Sequence, residues 1–188
     1  MEAFLVSTGI VALAEMGDKT QLLSLLLAAR FRKPWPIVAG IFAATIANHA
    51  LAGALGAWIT SVVGPHVMTW ILAGSFIAMA GWMLIPDKLD DDDAAASKGH
   101  LGVFATTVIA FFLAEMGDKT QVATVMLAAR FHAWGPVVLG TTLGMMLANV
   151  PAVWFGDRLV RRIPLRLVQL VSAAIFLLLG VAVLVGVQ

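Results

Sequence analysis

The sequence predicts an all-α integral membrane protein whose six transmembrane helices form two inverted three-helix repeats, and three observations predict it. First, the 188-residue chain is 61% apolar and only 12% charged, whereas soluble domains run about 45–50% apolar and about 25% charged. Second, six segments are long and apolar enough to cross a membrane, which takes about 20 residues rising about 1.5 Å each. Third, residues 13–21 read LAEMGDKTQ and residues 113–121 read LAEMGDKTQ again. Composition also excludes several classes. A net charge of +1 offers no basic face to nucleic acid. A chain with 0 cysteines forms no disulfide, iron–sulfur cluster or thiolate zinc site. Period-two alternation is absent, which argues against a membrane β-barrel.

The first span covers roughly residues 3–29. Met1 is followed by Glu2 and not by a basic stretch, so this helix is expected to be retained rather than cleaved as a signal peptide. Arg30-Phe31-Arg32-Lys33-Pro34-Trp35-Pro36 is short, basic and broken by proline, and the second span, 35–60, follows it. Gly64-Pro65 separates this from the third span, 67–86, which carries no formal charge. An acidic linker, 87–100, divides a first repeat, 1–86, from a second, 101–188. The second repeat holds spans 101–129, 134–156 and 167–187, joined by a short turn at His132–Pro136 and a basic segment at Asp157–Arg166.

Orientation follows from the loops. Arg30, Arg32, Lys33, Lys88, Lys98, Arg158, Arg161, Arg162 and Arg166 fall on one side, and Arg130 alone on the other. Basic loops stay cytoplasmic, so both termini are expected on the non-cytoplasmic face of the membrane.

The duplication runs beyond the motif. At an offset of 100, 14 of the 19 positions from 13 to 31 are identical, and Pro36 and Gly40 match Pro136 and Gly140. Three spans per half is an odd number, so the second half enters the bilayer from the opposite side. Many secondary transporters are built this way, with the site near the midplane between repeats. A duplicated packing unit without transport is the plainer alternative. The duplication, however, concentrates on charge. Six formal charges lie deep in the spans, namely Glu15, Asp18, Lys19, Glu115, Asp118 and Lys119, and all belong to the motif.

Each such charge costs at least about 2.5–3.5 kcal/mol at the bilayer centre, so they must face one another, water or an ion. On a continuous helix Glu15, Asp18, Gln21 and Ser24 step by three along one face, as do Glu115, Asp118, Gln121 and Thr124. Thr20, Thr120, Asn48 and Asn149 add hydroxyls and amides near the same stripes. Lys19 follows Glu15 by four, the order that favours an internal ion pair. Gly17 and Gly117 permit local unwinding between the acids. Four carboxylates and two lysines sum to −2, which a divalent cation would neutralise. Oxygen donors suit Mg²⁺, Ca²⁺ or Mn²⁺, with a weak thioether argument for Mn²⁺ from Met16 and Met116. The same acids could take protons, so metal and proton would compete for one site. No G-x-x-x-x-G-K-(S/T) loop for ATP is present, so an ion gradient is the expected source of energy.

At Glu15-Met16-Gly17-Asp18-Lys19-Thr20 and Glu115-Met116-Gly117-Asp118-Lys119-Thr120 the chain resembles a family of calcium/manganese cation exchangers marked by two copies of E-x-G-D-(K/R)-(T/S). That family includes Golgi calcium/manganese transporters, chloroplast manganese transporters and bacterial manganese exporters. The resemblance covers essentially the whole chain. It implies export of Mn²⁺, and in some members Ca²⁺, from the cytoplasm in exchange for H⁺ or another counter-ion. The metal is then cargo, no cofactor is required, and the protein is not an enzyme. Glu15, Asp18, Glu115 and Asp118 become the expected ligands, with Gln21 and Gln121 beside them. Lys19, Lys119, Thr20, Thr120, Ser24, Thr124, Asn48 and Asn149 are expected as supports or ion-pair partners.

Other signals stay open at this level. His49 is the one intramembrane histidine; it suits a proton relay or a contented neighbour contact. Asp90–Asp93 could attract metal or simply be a solvated linker. Gly140 and Gly144 form a GxxxG that packs a helix within the bundle or in an oligomer. Rival functions are an exporter of amino acids or other small organic solutes and a non-transporting membrane assembly factor. An intramembrane aspartyl protease using Asp18 and Asp118 is a further rival.

Overall fold

The computed structural model describes residues 1–85, 102–156 and 164–186. Among these residues the secondary structure is entirely helical, in eight α-helices. They are α1 (Glu2–Glu15), α2 (Lys19–Phe31), α3 (Pro34–Val62), α4 (Pro65–Trp82), α5 (Val103–Glu115), α6 (Lys119–Phe131), α7 (Trp134–Phe155) and α8 (Leu165–Val185). The acidic run Asp90–Asp93, the linker basics Lys88 and Lys98, and Arg158, Arg161 and Arg162 lie outside the described residues.

Two of the six expected spans are not continuous. Residues 3–29 divide into α1 and α2, and residues 101–129 into α5 and α6. Each break falls inside the duplicated motif. Gly17 and Gly117 have φ of 84° and 73°, values that a side chain resists and glycine accepts. At 14 and 13 residues, α1 and α5 rise about 20 Å each, too short to cross alone. Three helices, Pro34–Val62, Trp134–Phe155 and Leu165–Val185, are individually long and apolar enough to cross a membrane. The intervening α4 is an 18-residue helix begun by Pro65 at its first turn, where a missing N–H costs nothing.

Corresponding helices in the two halves make corresponding contacts. The principal packing of α1 is on α7, and α5 packs on α3 in the same way, while α4 pairs with α8. Glycine sets the closeness of these approaches. A Cβ on Gly140 would lie 2.5 Å from the Phe4 carbonyl, and one on Gly144 would lie 2.6 Å from that of Thr8. The GxxxG therefore packs inside the bundle, against α1. At the equivalent position a Cβ on Gly40 would lie 2.7 Å from Thr107 Cβ. Gly140→Ala should consequently cost about 1–3 kcal/mol by overpacking a backbone contact. Gly74→Ala, with nothing within 4 Å, should be neutral or slightly stabilising. Thermal unfolding of the two variants in detergent checks this; equal melting points would contradict the packing.

Polarity is arranged inside out. Leu5, Leu51, Trp58, Trp70, Phe155 and Leu178 are exposed, while Glu15, Asp18, Gln21, Asn48, Glu115, Asp118, Lys119 and Asn149 are buried. A water-soluble fold buries the first set and exposes the second. Only a hydrocarbon surround makes this distribution favourable, so the chain is a membrane protein.

Candidate functional site

The two helix breaks build the site. Glu15 is the last residue of α1 and Asp18 is the N-cap of α2; Glu115 and Asp118 take the same places between α5 and α6. In each copy the chain leaves the helix at the methionine and turns at the glycine. It re-enters with the aspartate backbone N–H donating to the glutamate carbonyl at 3.1 Å. The freed glycine N–H is then taken by a glutamine. Gln21 Oε1 accepts from Gly17 N–H at 3.0 Å, and Gln121 Oε1 accepts from Gly117 N–H at 2.7 Å. The glutamines thus brace the breaks. Their amide nitrogens donate outward, Gln21 to the Ala148 carbonyl at 3.0 Å and Gln121 to Asn48 Oδ1 at 3.4 Å.

The interruption also changes what the motif spacing means. The three-residue steps expected to align Glu15 with Asp18 on one helix face do not cross a non-helical turn. Convergence is achieved across the bundle instead. Glu15, Asp18 and Asp118 each bring a carboxylate oxygen to within 4.8 Å of the other two. All three are buried, at 0%, 4% and 4% exposure. Glu15 Oε1 accepts from Thr20 Oγ1, while Glu15 Oε2 is buried with no hydrogen-bond partner. Thr120 Oγ1 donates to Asp118 Oδ2 at 3.1 Å. Three ionised carboxylates at this separation, away from water, repel strongly unless a positive guest or protons intervene.

Glu115, equally buried, does not join the trio. Its Oε1 accepts from Thr45 Oγ1 at 2.6 Å and its Oε2 from Asn48 Nδ2 at 3.3 Å, both from α3. The sequence explains this inequality. The repeat counterparts of Thr45 and Asn48 are Met145 and Ala148, which supply no such donors to Glu15. Thr45 was missed by sequence reasoning. Its signal is its place three residues before Asn48, on the same face of an apolar helix.

The remaining expected residues are placed as follows. The Lys19–Glu15 ion pair does not form among the described residues, because the chain departs from helix between them; Lys19 is half-buried at the start of α2. Lys119, 4% exposed, donates from Nζ to the Ile85 carbonyl at 2.7 Å. Ser24 Oγ donates to Asn149 Oδ1 at 2.8 Å, and Asn149 Nδ2 donates to the Met145 carbonyl at 3.1 Å. Thr124 Oγ1 donates back to the Thr120 carbonyl at 2.8 Å. Met116 is exposed, while Met16 is half-buried and borders the same crevice as Asp18. His49 is fully buried with both ring nitrogens unpartnered.

Comparison with known proteins is consistent over nearly the whole chain. Residues 3–91 and 103–188 match a family model described as "Divalent cation/proton antiporter GDT1". A Vibrio cholerae protein named "Putative manganese exporter" is 52% identical over 183 residues, which is 97% of this chain and 90% of that protein. A GDT1-like protein of Synechocystis is 27% identical over 96% of each chain. GDT1-like protein 5 of Arabidopsis thaliana is 26% identical over 96% of this chain and 94% of its own. No solved structure matches.

Proposed function

The chain belongs to the GDT1 family of divalent cation/proton antiporters, and from that premise we propose that it exports Mn²⁺ from the cytoplasm in exchange for protons at Glu15, Asp18, Asp118 and Glu115. It is a transporter and not an enzyme. The observation that carries the site is the trio of buried carboxylates whose oxygens approach within 4.8 Å. Carboxylates are hard donors suited to Mn²⁺ and Ca²⁺. Preference for Mn²⁺ is supported by the name of the 52% identical relative. Exchange follows from using one set of oxygens for two cargoes. A site that must be neutralised before the bundle can rearrange takes either the metal or protons, and it cannot cross empty.

In this reading α1 with α2 forms one broken span and α5 with α6 another. The six spans then divide into two oppositely threaded halves, 1–86 and 101–188, with the acids at their crossing and the linker 87–100 cytoplasmic. The excess of basic residues in one set of loops supports both termini facing away from the cytoplasm, and the Vibrio cholerae relative supports a bacterial plasma membrane. Glu115, held by Thr45 and Asn48, is a ligand in reserve that joins when its α3 donors let go. Gln21 and Gln121 keep the breaks open, and each amide oxygen has a second lone pair beyond the one the glycine N–H takes.

Proteoliposomes test the reading. With an acidic interior, external Mn²⁺ should accumulate and the lumen should lose protons in step. A protonophore should return uptake to the level of protein-free vesicles. Mn²⁺ uptake indifferent to the protonophore would remove the proton from the scheme. Uptake of an amino acid in place of metal would favour the solute-exporter alternative.

A further inference from the structure

The two ends of the α4–α8 pair are in different states. These helices run antiparallel: Gly180 of α8 meets Ala73 and Ile77 of α4, the start of α4 at Thr69 shares a cavity with Val183 and Leu184, and Met83 shares a crevice with Gln169. At one end a cavity of about 560 Å³ is lined by Thr69 of α4 and Val183 and Leu184 of α8, with Arg130 at the end of α6. At the other end Met83 and Gln169 border a crevice of about 10 Å³, beside Asp18 and Lys119. Thr69 and Gln169 are repeat counterparts, as are Val183 and Met83. The same pair of positions lines a large cavity at one end of the bundle and a narrow crevice at the other.

The motif lysines differ in the same sense. Lys119 is dry and donates to the Ile85 carbonyl. That carbonyl lies just past Trp82, where α4 gives way to a tight turn in which Leu84 N–H donates to the Gly81 carbonyl and Ile85 N–H to that of Trp82. The counterpart of Ile85 is Val185, still helical, 72% exposed and at the end of α8. Its carbonyl belongs to the last helical turn, which has no acceptor role inside its own helix. Lys19, the counterpart of Lys119, is half-buried, and its charge lies close enough to act on the Glu115 carboxylate and not on a helix-end carbonyl. A buried ammonium needs an acceptor, and the partly negative C-terminal end of a helix is a favourable one.

We infer that the two motif lysines are alternating latches: Lys119 on the Ile85 carbonyl holds one end of the bundle shut, and Lys19 on the Val185 carbonyl holds the other end shut in the opposite-facing state. This rests on the inverted-repeat exchanger reading above. Each lysine leans back toward the start of its own helix, as helical side chains do, and therefore toward the end its partner carbonyl occupies. When α8 curls at Val183–Val185 as α4 does at Met83–Ile85, the large cavity closes and Lys19 becomes dry. Lys119 then gives up the Ile85 carbonyl, and its end opens. The lysines are positioning residues, and they make the two closures mutually exclusive.

The chain has 0 cysteines, so a single introduced pair reports closure without background. Thr69→Cys with Val183→Cys, in nanodiscs under mild oxidant, measures how often the open end shuts. Lys119→Met should speed cross-linking and Lys19→Met should slow it, each by about fivefold or more, the scale of a lost charge-assisted hydrogen bond. Lys119→Arg should restore the parent rate. Rates that move together in both methionine variants, or that do not move, overturn the latch. If Lys119→Met does not fold, Lys19→Met decides alone, and an unchanged rate overturns the proposal. Cross-linking needs no metal flux, so the two readings fail separately. Opposite shifts in a protein that does not exchange Mn²⁺ would remove the exchanger and keep the latch. Exchange with unmoved cross-linking would remove only the latch.

Discussion

Asp118→Asn is expected to abolish Mn²⁺ exchange while leaving the protein folded and more stable without metal. Asparagine keeps the shape and removes one of three charges that meet within 4.8 Å. Relief of that repulsion raises the melting temperature of the metal-free protein, and loss of a ligand lowers affinity. Even outer partners of metal ligands are worth about 10–100-fold, so a direct ligand should cost roughly a hundredfold or more in flux. A binding measurement separates this from misfolding. Mn²⁺ at a hundredfold excess over its dissociation constant should stabilise the parent by about 2.7 kcal/mol, and Asp118→Asn by almost nothing. Glu115→Gln is the informative contrast. Its carboxylate is already satisfied by Thr45 and Asn48, so metal-induced stabilisation should largely survive while turnover falls. Equal loss of binding in both variants would place Glu115 in the resting site and refute the inequality of the two halves.

The second large effect is expected at the breaks. Gly117 has φ of 73° and open space where a Cβ would sit. Gly117→Asn should fold and transport, because asparagine tolerates the left-handed region. Gly117→Val should not, since a β-branched residue there costs about 1–2 kcal/mol or more and pulls Asp118 out of register. At Gly17 the same torsion is combined with crowding, because a Cβ would lie 2.4 Å from Leu165 Cδ2. Gly17→Asn should therefore be worse than Gly117→Asn, and Gly17→Asn with Leu165→Ala should recover. Transport and thermal unfolding across this set check it; equivalence of the two asparagine variants would show that Leu165 yields freely.

The helical class was legible because lipid imposes composition. A chain of 61% apolar residues whose charges within the expected spans all sit in one duplicated nonapeptide leaves few alternatives. The motif acids were legible as a group, and Glu15, Asp18 and Asp118 do meet. Their mode of meeting was not. A three-residue spacing reads as one helix face only if the helix continues, and the positive φ at Gly17 and Gly117 that ends it is a tertiary outcome. Gln21 and Gln121 were legible as oxygen donors beside the acids, but not the hydrogen bonds their oxygens accept from the freed glycine N–H groups. The separation of Glu115 from the trio depends on Thr45, an ordinary threonine in an apolar run until α3 is seen against α5. Repetition at an offset of 100 encouraged an assumption of equivalence that Met145 and Ala148, opposite Thr45 and Asn48, do not support.

That departure from equivalence shapes how the protein behaves when its gradients are reversed. If both glutamates load cargo as proposed, Glu115 must first break two side-chain bonds, while Glu15 already has a bare oxygen. Loading from the two faces of the bilayer therefore climbs barriers of different height. Thermodynamics fixes where the exchange comes to rest but not its pace in each direction. Driven by matched and opposed gradients, the protein should conduct like a leaky rectifier, quick one way and slow the other.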